Sequence, residues 1–409
     1  MRASSQENPS PGRQILGWFN AMPVKRILAW FLATRVGLIA IALASNAFIP
    51  GLYGPEWQRL EGKPLLDIWY RWDAGFYTAI STFGYNFAVN LKPASDIAFM
   101  PLFPGLMRLV NPLIGCIDAL CTSNRFLACT SQECAVISGV LISNAALLLC
   151  CFLLFDLVRH QFDQQTGMRS VWLLLLAPNS IFLSGVYTES LFMLFVLVTF
   201  QALSRHSFGL AVTAAAAASL TREVGLALYP ALIVYAWNQR GASRISQLVL
   251  AQMAPLTFFA YVFGVGLLVG DGLAYFKVNA EIWGVSVGSH IFGSFGPYFP
   301  PYESKEYISL WGAGPTWFNL GSTLFYLALS IPAFRQNPSY GLFALVAILV
   351  PIVGGTLASM PRFGGIIAPF YSVGGEWANS RWRQIALYMA CVAAAVFFAA
   401  RFVTWRWIA

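Results

Sequence analysis

Apolar runs long enough to cross a bilayer recur from residue 27 to residue 403, separated mostly by short polar clusters. They fall at roughly 27–49, 134–158, 170–187, 189–204, 207–221, 223–238, 247–269, 310–332, 340–358, 362–378 and 384–403. A helix needs about 20 apolar residues to span the hydrocarbon layer. Most of the runs approach that length, so the pattern predicts an all-α polytopic membrane protein of about 11 transmembrane helices. Composition agrees: 58% of the 409 residues are hydrophobic and only 10% are charged. A soluble domain carries about 25% charged residues, and no water-soluble core could hold so much apolar surface. The first run, Ile27–Ile49, exceeds a signal-peptide core and reads as a retained helix. Residues 1–26 read as a cytoplasmic segment and 27–409 as a single transmembrane domain.

The net charge of +8 would suggest nucleic acid in a soluble protein. Here it is better explained by cytoplasmic loops, which carry an excess of Lys and Arg. With a cytoplasmic N-terminus, Lys25, Arg26, Arg159, Arg169, Arg205 and Arg335 fall inside, together with few acids. Two long segments, about 50–133 and 270–309, then fall on the opposite, periplasmic or luminal side. Loops this long in a compact protein usually carry function. The stretch Ile97–Ile114 is apolar but interrupted by Pro101, Pro104 and Pro112, so it reads as an interfacial or re-entrant helix pair. Cys116, Cys121, Cys129 and Cys134 form an even set in the first outer loop. They suit up to two disulfides of undecided pairing, or four free thiols.

The residues suited to chemistry gather on that outer side. In Asp67-Ile-Trp-Tyr-Arg71-Trp72-Asp73-Ala-Gly-Phe-Tyr77, an interfacial aromatic belt explains the rings but not the charges among them. A carboxylate in a partly desolvated aromatic setting is costly unless paired or used. Tyr187-Thr-Glu189-Ser lies at a turn between two spans, where Glu189 either caps a helix or meets substrate. Arg222 follows Thr221 at another outer turn. It either pairs with Glu223 or Glu189, or clamps a phosphate through its bidentate fork. Lys277, in Tyr275-Phe-Lys277 ahead of Trp283, either snorkels or holds a lipid phosphate. Arg362, in Met-Pro-Arg362-Phe, is either an interfacial arginine or a further phosphate ligand. One face with a carboxylate, several cations and many rings suits an anionic lipid-linked substrate.

These blocks, in this order, resemble the PIG-V (GPI mannosyltransferase 2-like) mannosyltransferases. The likeness rests on Arg71-Trp72-Asp73 with Tyr77 and Gly84-Tyr85, Ala98-Phe-Met-Pro-Leu-Phe-Pro104, and Ala177-Pro-Asn-Ser-Ile-Phe182 through Tyr187-Thr-Glu-Ser190. Thr221-Arg222, Phe276-Lys277 with Trp283-Gly284, and Pro361-Arg362-Phe363 continue it. The resemblance implies a GT-C-type bundle with juxtamembrane helices in the first outer loop. It implies an inverting transfer of mannose from a polyprenyl-phosphate carrier to a lipid-linked or glycan acceptor. Asp73 would be the general base, and Arg222, Lys277 and Arg362 would hold the donor phosphate. Arg71, Trp72, Tyr77, Tyr187, Glu189 and Trp283 would line the substrate site. No metal or other cofactor is required by that chemistry, and the expected partners are membrane lipids, the lipid-linked donor and the acceptor. The chain looks bacterial, with the site facing the periplasm from the inner membrane. A lipid-linked-sugar transporter or flippase would use the same cations, but predicts deep ionisable residues and an internal repeat. A non-catalytic partner subunit predicts a dispensable Asp73. A GT-C transferase of another sugar stays open.

Overall fold

In the computed structural model, the described residues are 23–52, 58–86, 93–121, 130–283 and 316–407; the side chains of 93–95, 116–121 and 282–283 lie outside them. The side chains of Cys116 and Cys121 therefore lie outside the description, as do Cys129, most of the second outer loop and the first 22 residues.

The architecture is all helical among the described residues. Helix α1, Val24–Phe48, buries Ile27, Phe31, Arg35, Leu38 and Ala42, positions spaced by three or four that fall on one stripe. Its other faces carry exposed Leu32 and Val36, as a lipid-facing helix would. The first outer segment then folds into α2, Pro64–Asp67, α3, Ala74–Phe83, a 3-10 turn over Pro93–Ala98, and α4, Leu102–Cys121. The sequence predicts a helix pair across 97–114; the structure has one short turn and one 20-residue helix. Pro104 falls in the first turn of α4, where no backbone donor is missed.

Helix α5, Ser131–Gln161, opens on a capping box between Thr130 and Glu133, which satisfies two orphan backbone donors. Then come α6, Gln164–Leu175, α7, Ser180–Ser184, α8, Glu189–Ser204, and α9, Phe208–Thr221. After a 3-10 turn at Glu223–Ala227 follow α10, Leu228–Trp237, α11, Ala242–Ala251, α12, Met253–Val269, and α13, Ala274–Trp283. The chain closes with α14, Trp317–Gln336, α15, Pro338–Val353, α16, Met360–Gly364, α17, Pro369–Trp377, and α18, Arg381–Val403. Among the described residues, five helical stretches are long and apolar enough to cross a membrane, and four shorter apolar helices accompany them.

Two of the spans expected from sequence are broken by stretches of several non-helical residues, whereas the run at 247–269 is interrupted only at Gln252, between α11 and α12. The run at 170–187 divides into α6 and α7, and the run at 362–378 into α16 and α17. Pro178 and Pro369 mark the two breaks, as expected where a helix cannot continue. The breaks pack on each other: a Cβ on Gly365 would lie 2.4 Å from the Asn179 side chain.

Arg35, buried in the middle of α1, secures the first break. Its guanidinium donates to the Leu175 carbonyl at 2.8 Å, to Ser180 Oγ at 2.7 Å and to Ser184 Oγ at 2.7 Å. A cation is favourable at a helix C-terminus, here that of α6. At the far end of the bundle, fully buried Asp156 receives Arg159 at 2.7 Å, Arg205 at 2.8 Å and Gln201 at 2.6 Å. That cluster sets the ends of α5 and α8 level, so the two helices run parallel. Ser143 Oγ donates to the Tyr187 carbonyl at 3.0 Å, which places the start of α8 about 20 Å along the bundle from Asp156.

Replacing Arg35 by Met strips the donors from three buried acceptors. Stability in detergent is expected to fall by about 2–4 kcal/mol, read as a lowered thermal midpoint against wild type.

Candidate active site

Each side chain of the site comes from a turn or a helix end. Asp73 precedes α3 but its side chain does not cap that helix. Its backbone is already helical, φ −56° and ψ −22°, whereas a capping residue is normally extended. The carboxylate points away instead, and its Oδ2 receives Arg362 Nη1 at 2.8 Å. The turn that aims it is strained, with Trp72 at φ 54°, a region bulky residues avoid. Gln58 donates to the Trp72 carbonyl at 2.6 Å, and the Trp72 ring lies 5.2 Å from that of Trp405 and 5.1 Å from that of Trp407.

Arg362 is the hub. It lies in short α16, after Ser359 at φ 64°. Besides Asp73 it bonds Glu189 Oε1 through Nε. Its guanidinium carbon lies 4.8 Å from the Tyr187 ring centroid and 5.1 Å from that of Phe182, distances suited to cation–π attraction. Glu189, the first residue of α8, is wholly buried. The same Oε1 also receives Arg222 Nη1 at 3.0 Å, so Arg222 pairs with Glu189 rather than with its neighbour Glu223. Arg222 Nη1 further donates to Thr188 Oγ1 at 2.9 Å, and its guanidinium sits 5.1 Å from the Phe363 ring centroid. The Tyr77 hydroxyl lies 3.5 Å from Thr188 Oγ1. Burial pushes the Tyr77 phenol above its usual range, so it stays protonated.

Arg222 reaches this point because α9 ends abruptly. The residue is extended, φ −153° and ψ 144°, and the chain then folds back as a 3-10 turn. A Cβ on Gly225 would lie 2.4 Å from the Ser219 backbone nitrogen, so only glycine permits the approach.

The structure thus gathers Asp73, Tyr77, Tyr187, Glu189, Arg222 and Arg362. Two carboxylates and two guanidiniums balance in charge. Two atoms have no partner: Glu189 Oε2 and Arg222 Nε are buried without a hydrogen bond. Each such orphan costs on the order of 1–3 kcal/mol, which marks a cluster built for a ligand as much as for stability.

Other expected site residues lie apart. Arg71 is 2% exposed and committed to the scaffold. It pairs with Asp67 at 2.6 Å and donates to the Val403 carbonyl at 3.3 Å. Its own carbonyl accepts from the Tyr187 hydroxyl at 2.9 Å. Arg71 and Trp72 therefore shape the turn that carries Asp73. Lys277 pairs with Asp271 at 2.6 Å, a bond that holds the Asp271 carboxyl below its usual range, and no contact among the described residues joins it to the cluster. The Trp283 side chain lies outside the described residues. A cavity of about 420 Å³ is lined in part by Asn46, Asp67, Arg71 and Trp405, and Asp73 is not in its wall. Among the described residues, no three His, Cys, Asp or Glu side chains gather into a metal-binding group.

Sequence reasoning assigned no role to Thr188, Phe182, Phe363 or Arg35. The first three sit inside the quoted blocks, and Arg35 stands out as an arginine in mid-span.

The profile of the mannosyltransferase (PIG-V) family matches residues 40–272, more than half of the chain and the stretch that holds Asp73, Tyr77, Tyr187, Glu189 and Arg222. The chain belongs to that family. A search of curated proteins finds no match. Among solved structures, ArnT from Cupriavidus metallidurans bound to undecaprenyl phosphate aligns at 13% identity and TM-score 0.46, over 92% of this chain and 76% of that one. The Archaeoglobus fulgidus oligosaccharyltransferase tethered with an acceptor peptide aligns at 12% identity and TM-score 0.41, over 92% and 55%. The A. fulgidus oligosaccharyltransferase AglB with an inhibitory peptide and a dolichol-phosphate aligns at 12% identity and TM-score 0.43, again over 92% and 55%. This chain spans about half the length of those archaeal chains.

Replacing Gly225 by Ala forces the turn at Arg222 away from the end of α9. A loss of about 1–3 kcal/mol is expected, measured as a lower thermal midpoint.

Proposed function

We propose that this protein is an inverting glycosyltransferase. It moves mannose from a polyprenyl-phosphate carrier to a hydroxyl of a lipid-linked or glycan acceptor. The observation that carries the reading, beside membership of the family, is the Asp73–Arg362–Glu189–Arg222 network. Of its four charged side chains, Asp73 is the most open at 21% exposure, while Arg362 is at 8%, Arg222 at 9% and Glu189 at 0%. A reachable carboxylate beside two buried guanidiniums is what acid–base chemistry next to a phosphate needs.

Asp73 takes the proton of the acceptor hydroxyl. A base acts at hydrogen-bond reach, about 2.6–3.2 Å. The acceptor oxygen attacks the anomeric carbon from the face opposite the phosphate, and the carbon–oxygen bond to the phosphate breaks with inversion. The carrier leaves as a phosphate monoester, its charge met by Arg362 and Arg222. Preorganised guanidiniums in a water-poor site stabilise such developing charge strongly. Arg71 and Trp72 act through the turn that presents Asp73, Tyr187 and Glu189 hold the arginines, and Tyr77, against Thr188, borders the substrate with them. Lys277, paired with Asp271, serves as a membrane-surface cation. The excess of basic residues in the opposite loops supports a site on the periplasmic side of a bacterial inner membrane.

The test is transfer of labelled mannose from synthetic polyprenyl-phosphate-mannose to a membrane lipid extract. Asp73→Asn is expected to lose about a hundred- to ten-thousand-fold in rate at an unchanged thermal midpoint. Equal transfer by wild type and variant removes Asp73 as the base, and no transfer by either removes the donor.

A further inference from the structure

Resting on that reading, we infer that the donor phosphate displaces Asp73 from Arg362, so that the base is released only once the donor is bound. Arg362 serves two carboxylates, and they are not equivalent. Glu189 is wholly buried and shared with Arg222, whereas Asp73 is partly exposed and bonds Arg362 through one oxygen at 2.8 Å. Stripping a wholly buried charge of its partner is far costlier than releasing one that water already reaches in part. The Asp73 bond is the one that yields.

Charge requires the exchange. The two carboxylates and two guanidiniums sum to zero, so the network holds no spare cation for an anion. A sugar phosphodiester brings one negative charge, and Arg362 Nη1 is the guanidinium edge that only Asp73 occupies in the contacts described above. Glu189 keeps hold of Nε and so keeps Arg362 in place during the exchange. The unpartnered Arg222 Nε offers the phosphate a second donor from the same network.

The exchange also balances the chemistry. Bonded to Arg362 through Oδ2, Asp73 has only Oδ1 to offer the acceptor, and protonation there would leave Arg362 facing a neutral carboxyl; the phosphate gives Arg362 another anion before that happens. Once displaced, the carboxylate accepts the proton and becomes neutral. In the same step the phosphate takes the electron pair of the broken carbon–oxygen bond and gains its second negative charge. The network's charge rises by one as the phosphate's falls by one. A protonated Asp73 no longer competes for Arg362, so the leaving phosphate stays held until product departs.

The experiment measures binding of undecaprenyl phosphate to the full-length protein in detergent, by tryptophan fluorescence, beside the mannosyl-transfer assay. Asp73→Asn and Asp73→Ala are each expected to bind about tenfold more tightly than wild type, a difference of about 1.4 kcal/mol. Two variants guard against a folding defect in one of them. Glu61→Gln removes the same charge from an exposed position of the same outer segment without touching Arg362 or the partners of the Asp73 turn, and its affinity is expected to stay close to wild type. Equal or weaker binding by both Asp73 variants, with wild type still transferring mannose, overturns the exchange and leaves the enzyme reading intact. Tightening by Glu61→Gln as large as that of the Asp73 variants also overturns it, since bulk charge would then suffice. Tighter binding without any mannosyl transfer by wild type keeps the exchange and overturns the sugar. No binding by any protein overturns both.

Discussion

The ion pair between Arg362 and Glu189 is the interaction on which the rest of the site depends. It ties α16 to the first residue of α8, and through Glu189 to the turn at Arg222 and through Arg362 to the turn at Asp73. Four segments far apart in sequence meet at two side chains. Burying such a pair is not favourable by itself, since taking both charges from water costs several kcal/mol per ion. The rings of Tyr187, Phe182 and Phe363 against the two guanidiniums offset part of that cost. The shared Glu189 oxygen offsets more. The network is better understood as fixing positions than as adding stability, which matches its orphaned Glu189 Oε2 and Arg222 Nε.

That network can exist only because the helices around it stop. Irregular backbone at membrane depth is tolerated where protein surrounds it. The two breaks, at 176–179 and 365–368, meet through Asn179 and Gly365, so each covers the other. Arg35 supplies donors to the carbonyl and hydroxyls that the first break leaves open. Asn144 adds a bond to the Ser184 carbonyl at 3.1 Å. The segment 185–188 is thereby set against α5, and Glu189 follows at a fixed height. Arg35, in the middle of α1, is thus part of the scaffold that places another arginine's partner.

Much of this was legible in the sequence, because membrane helices are written in composition and length. The apolar runs gave the first helix within a few residues and gave α8 to the residue, 189–204. Clustering of charges on one side of the runs pointed to Asp73, Glu189, Arg222 and Arg362, and these do converge. The breaks within 170–187 and 362–378 were not legible, since an apolar residue beside a proline reads the same in a kinked helix and in a broken one. Pairing was legible only as alternatives: Arg222 had two acidic candidates, and the turn after α9, enforced by Gly225, decides for Glu189. The direction in which Arg71 points was not legible for a related reason. Its sequence neighbours place it beside Asp73, but successive residues in a tight turn point in different directions, and its guanidinium goes to Asp67 and Val403.

The strain in the backbone has the same logic as the ion pair. Trp72 and Ser359 both hold a left-handed conformation without being glycine, and such residues cost on the order of 1–3 kcal/mol each. One stands directly before Asp73, the other three residues before Arg362. Relaxing Trp72 would swing Asp73 off its present bearing, but the tryptophan is wedged between Trp405 and Trp407 and its carbonyl is held by Gln58. The tail of the chain, beyond α18, therefore braces the turn that carries the candidate base. An aspartate at the start of a helix has an easy local partner in the free amides of the first turn. Denied that geometry, Asp73 finds its partner in Arg362 instead, nearly 300 residues away in sequence (|i−j| = 289). A carboxylate held by one long-range bond, on a turn that cannot relax, can change partner without moving its backbone. That is the property a base beside a charged substrate needs.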